Sequence, residues 1–82
     1  EAPIVLIDKI TADLQKLLAG PSKDQQVTLN LHPFIAAYLT QGIPSIRQQW
    51  FLEYKKWVKI QSRDAYKYLE YRFKNKDGKT IY

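Results

Sequence analysis

The sequence predicts an α+β domain in the order α-β-α-α-β-β, with helices packed on one face of a small mixed or antiparallel sheet. Three observations carry this. An apolar stripe at three- and four-residue spacing opens the chain, prolines and glycines punctuate its middle, and period-two alternation marks its later segments. Hairpin-linked strands at the end favour helices segregated on one side of a sheet. With 82 residues the chain has room for one domain, 1–82.

Ile4, Ile7, Ile10, Leu14, Leu17 and Leu18 predict an amphipathic helix over about 3–19. Pro3 suits its first turn, where the missing N–H is not needed, and Gly20-Pro21 stops it. Ser22 to Gln26 reads as a polar loop. Val27, Leu29 and Leu31 alternate with Thr28, Asn30 and His32, the pattern of a half-buried strand. Pro33 ends that strand and opens a helix running to Thr40 or Gln41, marked on one side by Phe34, Ala37 and Tyr38. Gly42 caps it. Pro44 starts a third helix with Ser45 in its first turn, and Ile43, Ile46, Trp50 and Tyr54 form its stripe, flanked by Phe51. Trp57–Gln61 and Tyr68–Phe73 read as strands. In the first, Val58 and Ile60 share a face; in the second, Leu69, Tyr71 and Phe73 do. Asn75-Lys76-Asp77-Gly78 is a hairpin-type turn, after which Thr80–Tyr82 pairs back as a short strand.

Composition excludes several classes. Apolar residues make up 45% and charged residues 26%, so the chain is not disordered as a whole. No apolar run approaches the length of a membrane span. Cysteine is absent, which removes disulfides, thiolate metal sites and cysteine nucleophiles, and favours an intracellular setting for so small a domain. Methionine is also absent, so Glu1 is not a translation start and the chain is expected to derive from a longer polypeptide.

Charge is uneven. Residues 1–41 hold Lys9, Lys16 and Lys23 against Glu1, Asp8, Asp13 and Asp24, a sum of −1. Residues 42–82 hold ten Lys or Arg against Glu53, Asp64, Glu70 and Asp77, a sum of +6. A basic half attracts phosphate through long-range field and counterion release. The plainer alternative is a solvated, lysine-rich face.

Catalytic chemistry finds little footing. His32 is the one histidine, and its place before Pro33 suits a polar helix-entry residue better than a base or metal ligand. Asp8 and Asp13, five apart on a helix, point in different directions. The three glycines stand alone at structural breaks, so no phosphate-cradling loop is present. The turn Gly42-Ile43-Pro44-Ser45 sits where a KH domain carries its G-x-x-G loop, but it has one glycine and a proline. These residues alone predict no catalytic site, no bound cofactor and no metal ligand set.

The informative segment is Trp50–Lys76, where aromatics interleave with cations, the combination that stacks bases and holds phosphates. Strand alternation expects Trp57, Lys59, Tyr68, Arg72 and Lys74 to face outward together, opposite Val58, Ile60, Leu69, Tyr71 and Phe73. The candidate contact set for RNA or a partner is Lys55, Lys56, Trp57, Lys59, Arg63, Tyr68, Arg72 and Lys74. Trp57 and Tyr68 suit a protein interface equally well.

The run His32-Pro33-Phe34-Ile35-Ala36-Ala37-Tyr38-Leu39, entered from the strand Val27–Leu31, resembles the C-terminal small domain of the bacterial ribonuclease E/G family. Gly42–Arg47, Trp50–Trp57 and Tyr68–Phe73 resemble its Bacteroidetes branch. The resemblance spans nearly the whole chain. It implies the C-terminal part of a cytoplasmic endoribonuclease acting in RNA processing and decay. The parent's Mg-dependent catalytic aspartates and zinc-binding Cys-x-x-Cys would lie upstream. The implied role here is non-catalytic: association with other domains or protomers of that ribonuclease. The alternative is an RNA-binding module using the basic, aromatic-bearing sheet face. No membrane partner is expected.

Overall fold

The computed structural model describes residues 2–21, 23 and 25–82. Part of the expected loop, at Ser22 and Asp24, lies outside them. Helix α1 (Pro3–Leu18) buries Leu6, Ile7, Ile10, Leu14 and Leu17, which recur at helical spacing along one side. Ile4, expected in that stripe, is exposed, because it falls to the side of the line from Ile7 to Leu14. Strand β1 (Thr28–Leu31) leads directly into α2 (Pro33–Thr40), where the fixed φ of Pro33 suits the first turn. His32 caps α2: its Nδ1 accepts the Phe34 backbone N–H at 3.1 Å.

Ile35, Ala36 and Leu39 form the buried side of α2, and the side marked by Phe34, Ala37 and Tyr38 is the exposed one. Gly42 takes φ +82° just beyond the helix, a conformation that side chains with a Cβ resist. Helix α3 is Ile46–Tyr54, so Ser45 is its cap rather than a residue of its first turn. The cap is reciprocal. Gln48 N–H donates to Ser45 Oγ at 3.1 Å, and Ser45 N–H donates to Gln48 Oε1 at 2.7 Å. Trp50 is buried, and its Nε1 donates to Thr11 Oγ1 at 3.3 Å, tying α3 to α1. Ile43, expected in the α3 stripe, lies outside the helix and is 96% exposed.

The sheet is mixed, in the order β2-β1-β3, with β2 at Lys59–Ser62 and β3 at Tyr71–Lys74. Parallel neighbours cannot be joined by a tight turn, and α2 with α3 supplies the crossover from β1 to parallel β2. β3 runs antiparallel on the other side of β1. The two later strands are therefore not neighbours; β1, apolar enough for the centre, lies between them. Residues 63–70 must then pass across the end of β1. Tyr68 and Leu69 belong to a turn in that passage, where Glu70 N–H donates to Lys67 O at 3.0 Å. They are not part of a strand, and Leu69, expected to face the helices, is 46% exposed.

Leu29, Leu31 and Phe73 face the helices and join the α1, α2 and α3 side chains in one core. The closing turn forms as expected. Gly78 has φ +80°, and Asn75 Oδ1 accepts the Asp77 and Lys79 amides, both at 3.0 Å. Thr80–Tyr82 then lie along β3: Ile81 N–H donates to Phe73 O at 2.8 Å, and Thr80 bridges Lys74. Among the described residues, β2 is left as the open edge of the sheet. Among the described residues, no helix is long and apolar enough to cross a membrane.

Candidate functional site

Strand register fixes what lies on the sheet face away from the helices. Thr28 is flanked by Lys59 and Lys74, and Asn30 by Gln61 and Arg72. Arg63, one pleat beyond Gln61, turns back over this face, and its Nε donates to Asn30 Oδ1 at 2.8 Å. Asn30 is 1% exposed although it points away from the core. A buried amide in this position needs a partner, and the guanidinium supplies a charge-assisted one. Lys59, Arg72, Lys74 and Arg63 are thus brought together. The three strands contain no acidic residue. Glu70 sits at the rim, 3.7 Å from Arg72, and its other carboxylate oxygen accepts the Lys67 amide at 3.1 Å.

The remaining expected contact residues lie elsewhere. Lys55 ends α3 with φ +57°, and its Nζ donates to Leu52 O at 2.9 Å. Lys56 Nζ donates to Lys23 O at 2.9 Å and also to Gln25 O, holding the segment after α1. Tyr68 does not join the outer face. The passage over β1 sets it against the residues that follow that strand, with ring centroids 6.0 Å from His32 and 5.7 Å from Phe34. Trp57 precedes β2 and turns to α3 instead. The Arg47 guanidinium carbon lies 4.5 Å from its ring centroid, and Phe51 meets it edge-on at 5.9 Å. The aromatics and the cations expected on one face are therefore on separate surfaces.

Around Trp57 lies a second feature. Ile43, Pro44, Gln48, Phe51, Leu52 and Trp57 line a shallow groove of about 350 Å³. Ile43, Phe51, Leu52 and Trp57 are all exposed. Phe51, Leu52 and Ile43 were not among the predicted contact residues. The signal was present in Trp50-Phe51-Leu52: consecutive helical residues are set about 100° apart, so one core cannot cover all three.

Acidic and hydroxyl groups form a different arrangement. Tyr71 OH donates to Asp13 Oδ2 and links β3 to α1. Burial, and then the neighbouring Asp13 carboxylate, push the Tyr71 phenol above its ordinary range, so it keeps its proton as a donor. Among the described residues, no group of three or more His, Asp or Glu side chains is placed to hold a metal ion. No family model, curated protein or solved structure matches the chain.

Proposed function

We propose that this chain is the non-catalytic C-terminal domain of a ribonuclease E/G-type endoribonuclease, serving association with another domain or protomer of that enzyme. The exposed apolar groove of Ile43, Phe51, Leu52 and Trp57 is the observation that supports this most. Interfaces centre on aromatic and aliphatic anchors, with arginine beside them, and Arg47 lies against Trp57 in that manner. The motif resemblance supplies the parent enzyme and its cytoplasmic setting. Under this reading Mg²⁺ hydrolysis and the zinc link belong to upstream polypeptide, and this domain contributes surface rather than reactive groups.

The test is Leu52→Asp combined with Phe51→Ser in the full-length parent. Both side chains are exposed, so the fold should be retained, which circular dichroism checks. Light scattering should report a smaller assembly than the unaltered enzyme. An assembly of unchanged mass rejects the association role.

A further inference from the structure

We infer that the outer face of the sheet binds the sugar–phosphate backbone of double-stranded RNA through Lys59, Arg63, Arg72 and Lys74. This goes beyond the association role and uses a different surface. The assignment to RNA rather than DNA rests on the ribonuclease reading; the assignment to a phosphate backbone rests on the face itself.

Three features point to a phosphate backbone. The first is charge without local compensation. The strands put Lys59 and Lys74 on either side of Thr28, with Arg72 on the next row and Arg63 beyond, and contain no acidic residue. Strand spacing and rise spread these cations over about 10 Å across the sheet and about 13 Å along it. Glu70 at the rim makes only a long, half-exposed ion pair with Arg72, of the kind that a phosphate readily displaces.

The second feature is chemical. Thr28, Asn30 and Gln61 occupy the middle of the face, so no apolar side chain stands there as an anchor. A protein interface is built around such anchors, whereas a nucleic-acid backbone is held by cations and polar groups. The third is the position of the rings. Single-stranded RNA is held by aromatic side chains on which bases stack. Trp57 lies on Phe51 and Arg47, and Tyr68 on His32 and Phe34, so neither ring joins the cations. What remains suits a duplex, whose bases are already stacked and whose shape and phosphates are what proteins grip. The Asn30–Arg63 hydrogen bond holds one of the four cations in place over the face.

The experiment titrates the 82-residue chain against a fluorescein-labelled RNA hairpin. With four phosphate contacts, raising salt from about 50 to 200 mM should weaken binding about a hundredfold. Lys59→Glu with Arg72→Glu should abolish binding at the lower salt. The milder Lys59→Gln with Arg72→Gln, checked for unchanged circular dichroism, should weaken it at least tenfold on the order expected from two lost phosphate contacts. Lys16→Glu, on α1, carries the same charge change as Lys59→Glu and should have much the smaller effect. Glu70→Gln should tighten binding modestly. Tighter binding of single-stranded RNA than of the hairpin overturns the proposal. So does displacement of the hairpin by polyglutamate as readily as by unlabelled hairpin, or equal effects of Lys59→Glu and Lys16→Glu. Duplex DNA held as tightly as duplex RNA overturns the assignment to RNA. The association role fails or stands separately, on the light-scattering mass.

Discussion

The two faces of the sheet are made by the same twelve strand residues and have opposite characters. Leu29, Leu31 and Phe73 lie within the core on one side. Lys59, Arg72 and Lys74 surround Thr28 and Asn30 on the other. Alternation along each strand is the whole cause, since neighbouring residues point to opposite faces. The difference teaches where stability and recognition are separable in so small a domain. The inner face holds the fold together, while most of the outer face can change without disturbing it. Asn30 is the exception, an outer-face residue buried under Arg63.

The largest expected effect tests that division on two adjacent residues. Phe73→Ala removes a fully buried ring and should cost about 3–5 kcal/mol, a large share of the stability of a small domain. Its neighbour Arg72→Ala should stay within about 0.5 kcal/mol, since that side chain is half exposed. Urea denaturation of both variants checks the contrast, and equal losses would break it. Next in size is Asn30→Ala. It should cost about 1–2 kcal/mol through the lost charge-assisted hydrogen bond, more than any other outer-face truncation. A cost no larger than that of Gln61→Ala would show that Asn30 is not an exception.

The smallest effect concerns the tie between the sheet and α1. The Tyr71 phenol is raised above its ordinary 10.0, so the folded state favours its protonated form. The stability this contributes is fully present below about pH 10 and is lost as pH rises further. Tyr71→Phe should flatten that alkaline decline without altering the neutral-pH fold, which thermal melts across the alkaline range would reveal.

Much of the architecture was legible because periodicity reports which side of an element is buried. The stripe from Ile7 to Leu17, the alternation in β1 and the His32-Pro33 helix entry each carried a local physical signal. Pairing order did not, because an alternating strand says nothing about its neighbour, and no local signal marks β1 as the centre of the sheet. Tyr68 and Leu69 extended the alternation of Tyr71 and Phe73 and resembled strand, but the passage across β1 requires a turn there. Lys59, Arg72 and Lys74 on the outer face could be read from strand parity; Arg63, beyond the expected strand, could not. The placement of Trp57 against Arg47 could not, since it depends on where α3 ends relative to β2.

The return of Thr80–Tyr82 along β3 has a further consequence. Extended chains accumulate into fibres by adding to both sides of an existing ribbon, and here one side is already taken by Thr80–Tyr82. Growth is left with a single direction, next to a four-residue strand that begins with lysine, a residue that discourages such additions. Thr80–Tyr82 thus guard that side of β3, and Ile81→Pro, which removes the N–H donated to Phe73 O, should uncover it.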